Sequence, residues 1–107
     1  MDYLKKAEQA LSYLETSEQQ YAELKAQVKY APERLKSFLS TLELKSDAST
    51  ATMKKAEAMA HEEYQQLIDA METVTKEYNL IAEKRRRAEL IIEMYRSVNS
   101  AMKRGNV

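Results

Sequence analysis

Side chains that could perform catalysis or hold a metal are scarce in this sequence. The chain contains one His, no Cys and one Gly, so no nucleophile–His pairing and no glycine-rich phosphate loop can be recognised. Helical bundles hold di-metal sites with paired Glu-x-x-His motifs, but the residue three before His61 is Ala58. Glu57 lies one helical turn before His61, where a surface ion pair or hydrogen bond is the ordinary outcome. We therefore expect no enzyme activity, no metal and no cofactor, and we interpret His61 as a structural or surface residue.

A cluster of basic residues is more informative about binding. Residues 83–104 carry seven cations and three acids, whereas residues 45–82 carry four cations and seven acids, although the whole chain has zero net charge. Clustered cations neutralise nucleic-acid phosphates and bind the carboxylates of acidic proteins. The alternative is a solvated set of cations that spreads around a helix and pairs with neighbouring Glu residues. The candidate contact residues for a partner or a nucleic acid are Lys84, Arg85, Arg86, Arg87, Arg96, Lys103 and Arg104.

The elements that position these residues are helices, because one Gly and one Pro leave little turn chemistry for a sheet. The spacing predicts one uninterrupted helix from about residue 50 to residue 104, with the seam of a coiled coil repeating every seven residues. Polar residues at two seam positions either set the register of the pairing or, for Arg85, extend out of the seam along the aliphatic stem. The seam pairs are Tyr64/Leu67, Met71/Val74, Tyr78/Ile81, Arg85/Ala88, Ile92/Tyr95 and Asn99/Met102.

The N-terminal part of the chain predicts a second, interrupted helical arm. Its apolar stripe loses its spacing at Ser17 and Glu18, which we interpret as a phase shift of the seam. Pro32 predicts either a kink in one helix or a break between residues 2–31 and 33–44, and we favour a break or sharp kink. The stripe consists of Leu4, Ala7, Leu11, Leu14, Tyr21, Leu24, Val28 and Ala31.

Short polar segments mark the ends of the elements. Residues 45–50 are small, polar and aperiodic, which predicts a loop between the arm and the long helix. Asp47, Ser49 or Thr50 is a candidate N-cap of the following helix, since each offers an oxygen to the free amides of the first turn. Gly105 follows two cations and is a typical helix stop signal.

Together these features predict an all-α protein: an antiparallel helical hairpin or coiled coil, in a single domain covering residues 1–107. Residues 88–98 are apolar around much of the helix, so this part of the chain needs more than one packing partner. We therefore predict self-association as a homodimer that forms a helical bundle. The residues expected at that interface are Ala88, Ile91, Ile92, Tyr95, Val98 and Met102.

The location of the protein is predicted from what its sequence lacks. The N-terminal residues have no apolar core typical of a signal peptide, and no apolar run approaches the roughly 20 residues of a membrane span. The absence of Cys fits a reducing compartment. We therefore expect a cytoplasmic protein that does not contact a membrane.

The C-terminal 25 residues resemble a known group of sequences. Residues 87–100 (RAELIIEMYRSVNS) are followed by Lys103-Arg104-Gly105-Asn106-Val107. This run resembles the C-terminus of small helical proteins of bacteriophages and prophages, encoded in early gene regions near recombination and replication functions. The resemblance implies a phage accessory or host-interaction protein in the cytoplasm of a bacterial host, and it implies no active site.

These observations leave three functional hypotheses. The first is a non-enzymatic accessory protein that binds a protein partner, either host or phage DNA-processing machinery or a host defence complex that it would inhibit. The second is an accessory factor that binds nucleic acid directly through the basic segment 84–104. The third is a structural coiled-coil scaffold, which would assemble beyond a dimer.

Overall fold

The computed structural model describes residues 2–105, and these form three helices. They are α1 (Tyr3–Lys45), α2 (Ala51–Ala60) and α3 (Glu62–Gly105). No strand occurs among the described residues, so the predicted all-α class with a very long C-terminal helix is confirmed. No helix in the described part of the chain is long and apolar enough to cross a membrane.

Helix α1 is continuous through Pro32, so of the two outcomes predicted there, a break or a kink, the break between residues 31 and 33 does not occur. The reason lies in the seam of α1, by which we mean its side chains shielded from solvent. They recur at alternating spacings of three and four residues on both sides of the proline, whereas Pro32 itself is exposed. The residues of this repeat are Ala7, Ala10, Leu14, Ser17, Tyr21, Leu24, Val28, Ala31, Leu35, Phe38 and Leu42, and Tyr13, Leu39 and Glu43 are half-buried beside it.

The predicted phase shift at Ser17 and Glu18 is also wrong. Ser17 is 7% exposed and occupies a regular seam position, so a polar residue continues the repeat. Leu4 and Leu11, which were assigned to the stripe, are 50% and 52% exposed and lie beside the seam. Ala10, which is 6% exposed, takes the place that the sequence pattern gave to a leucine.

The loop and the cap that precede α2 agree with expectation. Residues 46–50 are non-helical, and Thr50 is the N-cap of α2, with its hydroxyl oxygen accepting the amide of Met53 at 3.1 Å. The Ser46 hydroxyl donates to the carboxylate of Glu57 at 2.7 Å, which ties the loop to α2. Ala58 in α2 is 2% exposed.

The predicted single helix over residues 50–104 is interrupted at His61. His61 has an extended conformation (φ −64°, ψ 135°), and its amide donates to the carbonyl of Ala58 at 3.2 Å. The imidazole Nδ1 accepts the amide of Glu63 at 3.1 Å, so this side chain caps the first turn of α3. The Gln65 side chain donates to the free carbonyl of Met59 at 2.8 Å. These bonds satisfy backbone groups on both sides of the break, which helical periodicity alone does not reveal.

The predicted seam of α3 is confirmed over most of its length. Eleven of its twelve residues are buried or half-buried, and the exception is Met102, which is 63% exposed. The helix includes Gly105 instead of ending before it. Asn106 and Val107, the last two residues of the phage-like C-terminal run, lie outside the described residues.

The chain forms two compact units, whose boundaries fall within the two long helices. Unit 1 consists of the described residues of Met1–Ala22 and Asn79–Val107, and unit 2 is Glu23–Tyr78. Unit 2 contains the end of α1, all of α2 and the start of α3, and it buries Leu24, Ala31, Leu42 and Ala58. Unit 1 contains the basic cluster and the residues predicted for self-association, so the candidate functional site lies there.

Candidate functional site: a polar layer and two grooves in unit 1

Arg85 joins the two helices of unit 1 through hydrogen bonds within the seam. Its Nη1 donates to the backbone carbonyl of Leu14 at 2.9 Å and to the hydroxyl of Ser17 at 2.8 Å. The Ser17 hydroxyl in turn donates to the carbonyl of Tyr13 at 2.6 Å. The Arg85 Nη1 and the Ser17 hydroxyl therefore both have hydrogen-bond partners, as shielded polar groups require.

The aromatic ring of Tyr21 completes this layer. The guanidinium carbon of Arg85 lies 4.7 Å from the ring centroid, within the range of a cation–π interaction. Of the two fates predicted for Arg85, the structure shows the polar seam residue, half-buried, and not the side chain that extends outward. Its guanidinium binds α1, and its role as a contact residue for an external partner stays a prediction.

The contacts of the polar layer show the relative direction of the α1 and α3 segments in unit 1. Residues 14–21 of α1 meet Arg85, whereas residues 4–14 line a groove with residues 89–96 of α3. Sequence order on one helix is therefore opposite to that on the other, and the pair is the antiparallel helical hairpin that the sequence predicts. Two packed helices bury only the stripe of each that faces the other. The two sides that flank the seam therefore keep apolar surface open to solvent.

One side forms the basic groove, an open and mainly apolar groove with cations along its edges. Ile91 is 37% and Met94 57% exposed, and both lie here, as does Tyr3. Lys84 and Ile91 are seven residues apart, as are Arg87 and Met94, so each pair lies along the same side of α3. The groove is lined by Tyr3, Lys6, Gln9, Ala10, Tyr13, Lys84, Arg87, Ala88, Ile91 and Met94.

The other side forms the acidic groove. Its floor is again apolar, with Leu4 and Leu11 each about half exposed. Three carboxylates and one guanidinium lie along its edges, so its charge is opposite to that of the basic groove. It is lined by Leu4, Ala7, Glu8, Leu11, Leu14, Glu89, Ile92, Glu93, Tyr95 and Arg96.

The seven predicted contact cations do not form one surface. Lys84 and Arg87 line the basic groove, Arg96 belongs to the acidic groove, and Arg85 is in the seam. Arg104 borders a small polar depression with Arg96 and Ser97 near the end of α3. Arg86 and Lys103 are exposed but line none of these grooves. At about 100° of rotation per residue, consecutive cations must point in different directions, as the alternative interpretation of the cluster predicts.

The six residues predicted for self-association are divided in the same way. Ala88 is 5% exposed within unit 1, and its role at the self-association interface stays a prediction. Ile92, Tyr95 and Val98 are half-buried, and they lie on the face of α3 that carries its seam. Ile91 faces the basic groove, and Met102 is exposed near the end of α3. Helix α1 therefore covers part of the apolar surface of residues 88–98.

The α1 side of both grooves was missed in the sequence. Tyr3, Lys6 and Tyr13 border the basic groove, and Glu8 borders the acidic groove. The signal that could have placed them is the repeat Ala7–Ala10–Leu14–Ser17, because residues on either side of a seam fall into its two flanks. A leucine-based stripe obscured that repeat.

Metal-ligating side chains do not cluster in the described part of the chain: no group of three or more His, Cys, Asp or Glu residues is placed to hold an ion. His61 serves as the cap between α2 and α3. Comparison of the chain with models of protein families, with curated proteins and with solved structures gave no match.

Proposed function

We propose that this chain is a non-enzymatic accessory protein that binds a protein partner through the helical surface of unit 1. The observation that carries the proposal is the basic groove, in which exposed Ile91 and Met94 lie between Lys84, Arg87 and the side chains of α1. An apolar floor between like-charged edges suits an amphipathic helix whose apolar stripe is bordered by acidic residues.

The energetic contribution of such a contact comes from the apolar floor, and the cations give selectivity. Burying an aliphatic side chain contributes about 1.5–3 kcal/mol, and charged edges mainly favour the correct partner and orientation. The edges of the basic groove would accept carboxylates and repel a basic helix. Partner choice therefore follows from the sign of the charge on the partner helix.

The resemblance of residues 87–100 to phage and prophage proteins supports a proposal for the class of partner. We propose a protein of the host or phage DNA-processing machinery, or a host defence complex that this chain would inhibit. Both settings place the protein in the bacterial cytoplasm. The sequence predicts self-association as a homodimer, and this stays a prediction separate from the binding of a foreign partner.

The test is recovery of a partner from bacterial lysate by the immobilised chain and by two glutamine variants. Ile91→Gln with Met94→Gln removes the apolar floor of the basic groove without adding charge, whereas Leu90→Gln changes an exposed neighbour. The proposal expects the wild type and Leu90→Gln to retain the same protein, and the groove variant to retain at least about tenfold less of it, the effect of 1.4 kcal/mol. Equal retention by all three chains would contradict it.

A second candidate function is direct binding of nucleic acid, which one feature of the same groove favours. Two tyrosines, Tyr3 and Tyr13, lie there with Lys6, Lys84 and Arg87. Cations beside aromatic rings are the elements with which proteins bind single strands, through phosphate contacts and base stacking.

Fluorescence anisotropy with labelled single- and double-stranded DNA at low salt tests this candidate. It expects preferential binding of the single strand, with an affinity that falls steeply as salt rises because cations are released from the phosphates. Replacing Lys84 and Arg87 with Gln should weaken binding, and replacing exposed Lys55 and Lys76, which lie outside the basic segment, with Gln provides the control. Absence of binding to either DNA at low salt would exclude the candidate.

A further inference from the structure

The two grooves of unit 1 are alike in form and opposite in charge. Three cations and no carboxylate line the basic groove, whereas three carboxylates and one cation line the acidic groove. Both have apolar floors supplied by the same two helices. We propose that the grooves are complementary to each other, and that the acidic groove of one copy packs against the basic groove of a second copy.

The charges at the edges select this pairing over a symmetric one. A two-fold interface places the same surface patch of both copies face to face. Two basic grooves would then bring the Lys84 and Arg87 of each copy together, and two acidic grooves would do the same for Glu89 and Glu93. Like charges across an interface are unfavourable, whereas opposite charges favour encounter and fix the orientation. The apolar floors, with Ile91 and Met94 facing Leu4 and Leu11 of the next copy, provide the burial.

A pairing of unlike grooves has a consequence for the size of the assembly. Each copy that uses its acidic groove still offers its basic groove, so the contact is head-to-tail and does not end at two copies. The assembly either closes into a ring of three or more copies or continues as a filament. This differs from the two-fold dimer expected from the sequence, and it concerns the purified chain alone, so it does not rest on a foreign partner.

Charge reversal provides a direct test, because it can abolish and then restore the pairing. The basic-groove variant carries Lys84→Glu and Arg87→Glu, which leaves both grooves acidic. The acidic-groove variant carries Glu89→Lys and Glu93→Lys, which leaves both grooves basic. All four side chains are exposed, so the substitutions leave the seam intact, and circular dichroism of each variant verifies the helix content.

Sedimentation velocity over a wide range of protein concentration measures the outcome. The wild type should reach a mass more than twice the 12.4 kDa of one chain. Each charge-reversal variant alone should stay at the mass of one chain. An equimolar mixture of the two variants should assemble again. A control with Lys55→Glu and Lys76→Glu makes the same charge change. Both residues are exposed, belong to unit 2 and line neither groove, so this control should assemble like the wild type.

Each of three results would overturn the proposal: a wild type that remains at the mass of one chain, a variant that assembles alone to the wild-type extent, or a mixture that does not assemble. If charge reversal lowers the helix content, the neutral pair Lys84→Gln with Arg87→Gln replaces it. Assembly of that pair to the wild-type extent would then count against the proposal. Retention of a lysate protein by the wild type is a separate measurement, so failure of this proposal and failure of the proposed function are distinguishable.

Discussion

Replacing Arg85 with methionine would remove the polar layer of unit 1 while keeping an unbranched apolar stem in the seam. The substitution deletes two hydrogen bonds, at 2.9 Å to the carbonyl of Leu14 and at 2.8 Å to the hydroxyl of Ser17. It also deletes the cation–π contact with Tyr21 at 4.7 Å. Ser17 keeps its own bond to the carbonyl of Tyr13, so no buried donor is left unsatisfied.

The expected cost follows from these three contacts. Hydrogen bonds to charged groups contribute about 1.5–3 kcal/mol each, and partial exposure of Arg85 reduces each to about 1 kcal/mol because water competes for the guanidinium. The cation–π contact adds about 0.5–1 kcal/mol. Methionine recovers part of the packing, so we expect Arg85→Met to lower the free energy of unfolding by about 2 kcal/mol.

A double-mutant cycle that combines Arg85→Met with Ser17→Ala measures the interaction free energy between Arg85 and Ser17 apart from their other contacts. If the two residues act together, Ser17→Ala in the Arg85→Met background should cost about 1 kcal/mol less than in the wild type. Urea denaturation followed by circular dichroism gives all four free energies. Repeating it at several protein concentrations reveals any coupling to self-association.

Two results would refute this reasoning. Equal stability of Arg85→Met and the wild type would show that the contacts contribute nothing measurable. Additive effects of the two substitutions would show that Arg85 and Ser17 are not coupled, and the register of the hairpin would then need another cause.

The remaining predictions concern the helices that support the site, and all are measured by urea denaturation. Pro32→Ala should raise the free energy of unfolding by about 1–3 kcal/mol, since it restores a donor and removes the ring from a helix interior; a decrease would contradict the role given to the seam. Leu24→Ala should cost about 2–4 kcal/mol because Leu24 is 6% exposed, whereas Leu44→Ala, at 87% exposure, should change the value by less than about 0.5 kcal/mol; equal effects would be inconsistent with this core. Thr50→Ala should cost about 1 kcal/mol through loss of the α2 cap, and no change would show that this cap contributes nothing to stability.

The seam of α3 could be read from the sequence because its residues are large and regularly spaced. Tyr64, Leu67 and Met71 follow the heptad repeat, and the structure shields each of them from solvent. The end of the loop at Thr50 was predictable for a similar reason, since its cap depends on neighbouring residues alone. Local chemistry and strong periodicity therefore carried these predictions.

The features that could not be predicted depend on contacts between distant residues or on an unusual cap. Ser17 appears as a gap in an apolar stripe until Arg85, 68 residues further along, is placed beside it. The break at His61 requires a histidine side chain to cap a helix, which helix periodicity does not report. At Pro32, the packing of the seam on both sides outweighs the local preference for a break. The grooves could not be positioned from the sequence, because they depend on the α1 repeat Ala7–Ala10–Leu14–Ser17, which the leucine-based stripe did not show.

The central claim is that a protein partner binds in the basic groove of unit 1. Site-specific photocrosslinking in a bacterial lysate tests it most directly, with the crosslinking side chain placed in turn at Ile91, in the groove, and at Leu90, on the outer side of α3. The account predicts a discrete crosslinked protein, other than a second copy of this chain, from position 91 that position 90 does not give and that the Lys84→Glu and Arg87→Glu changes reduce. Identical crosslinks from both positions, or none from position 91, would contradict it.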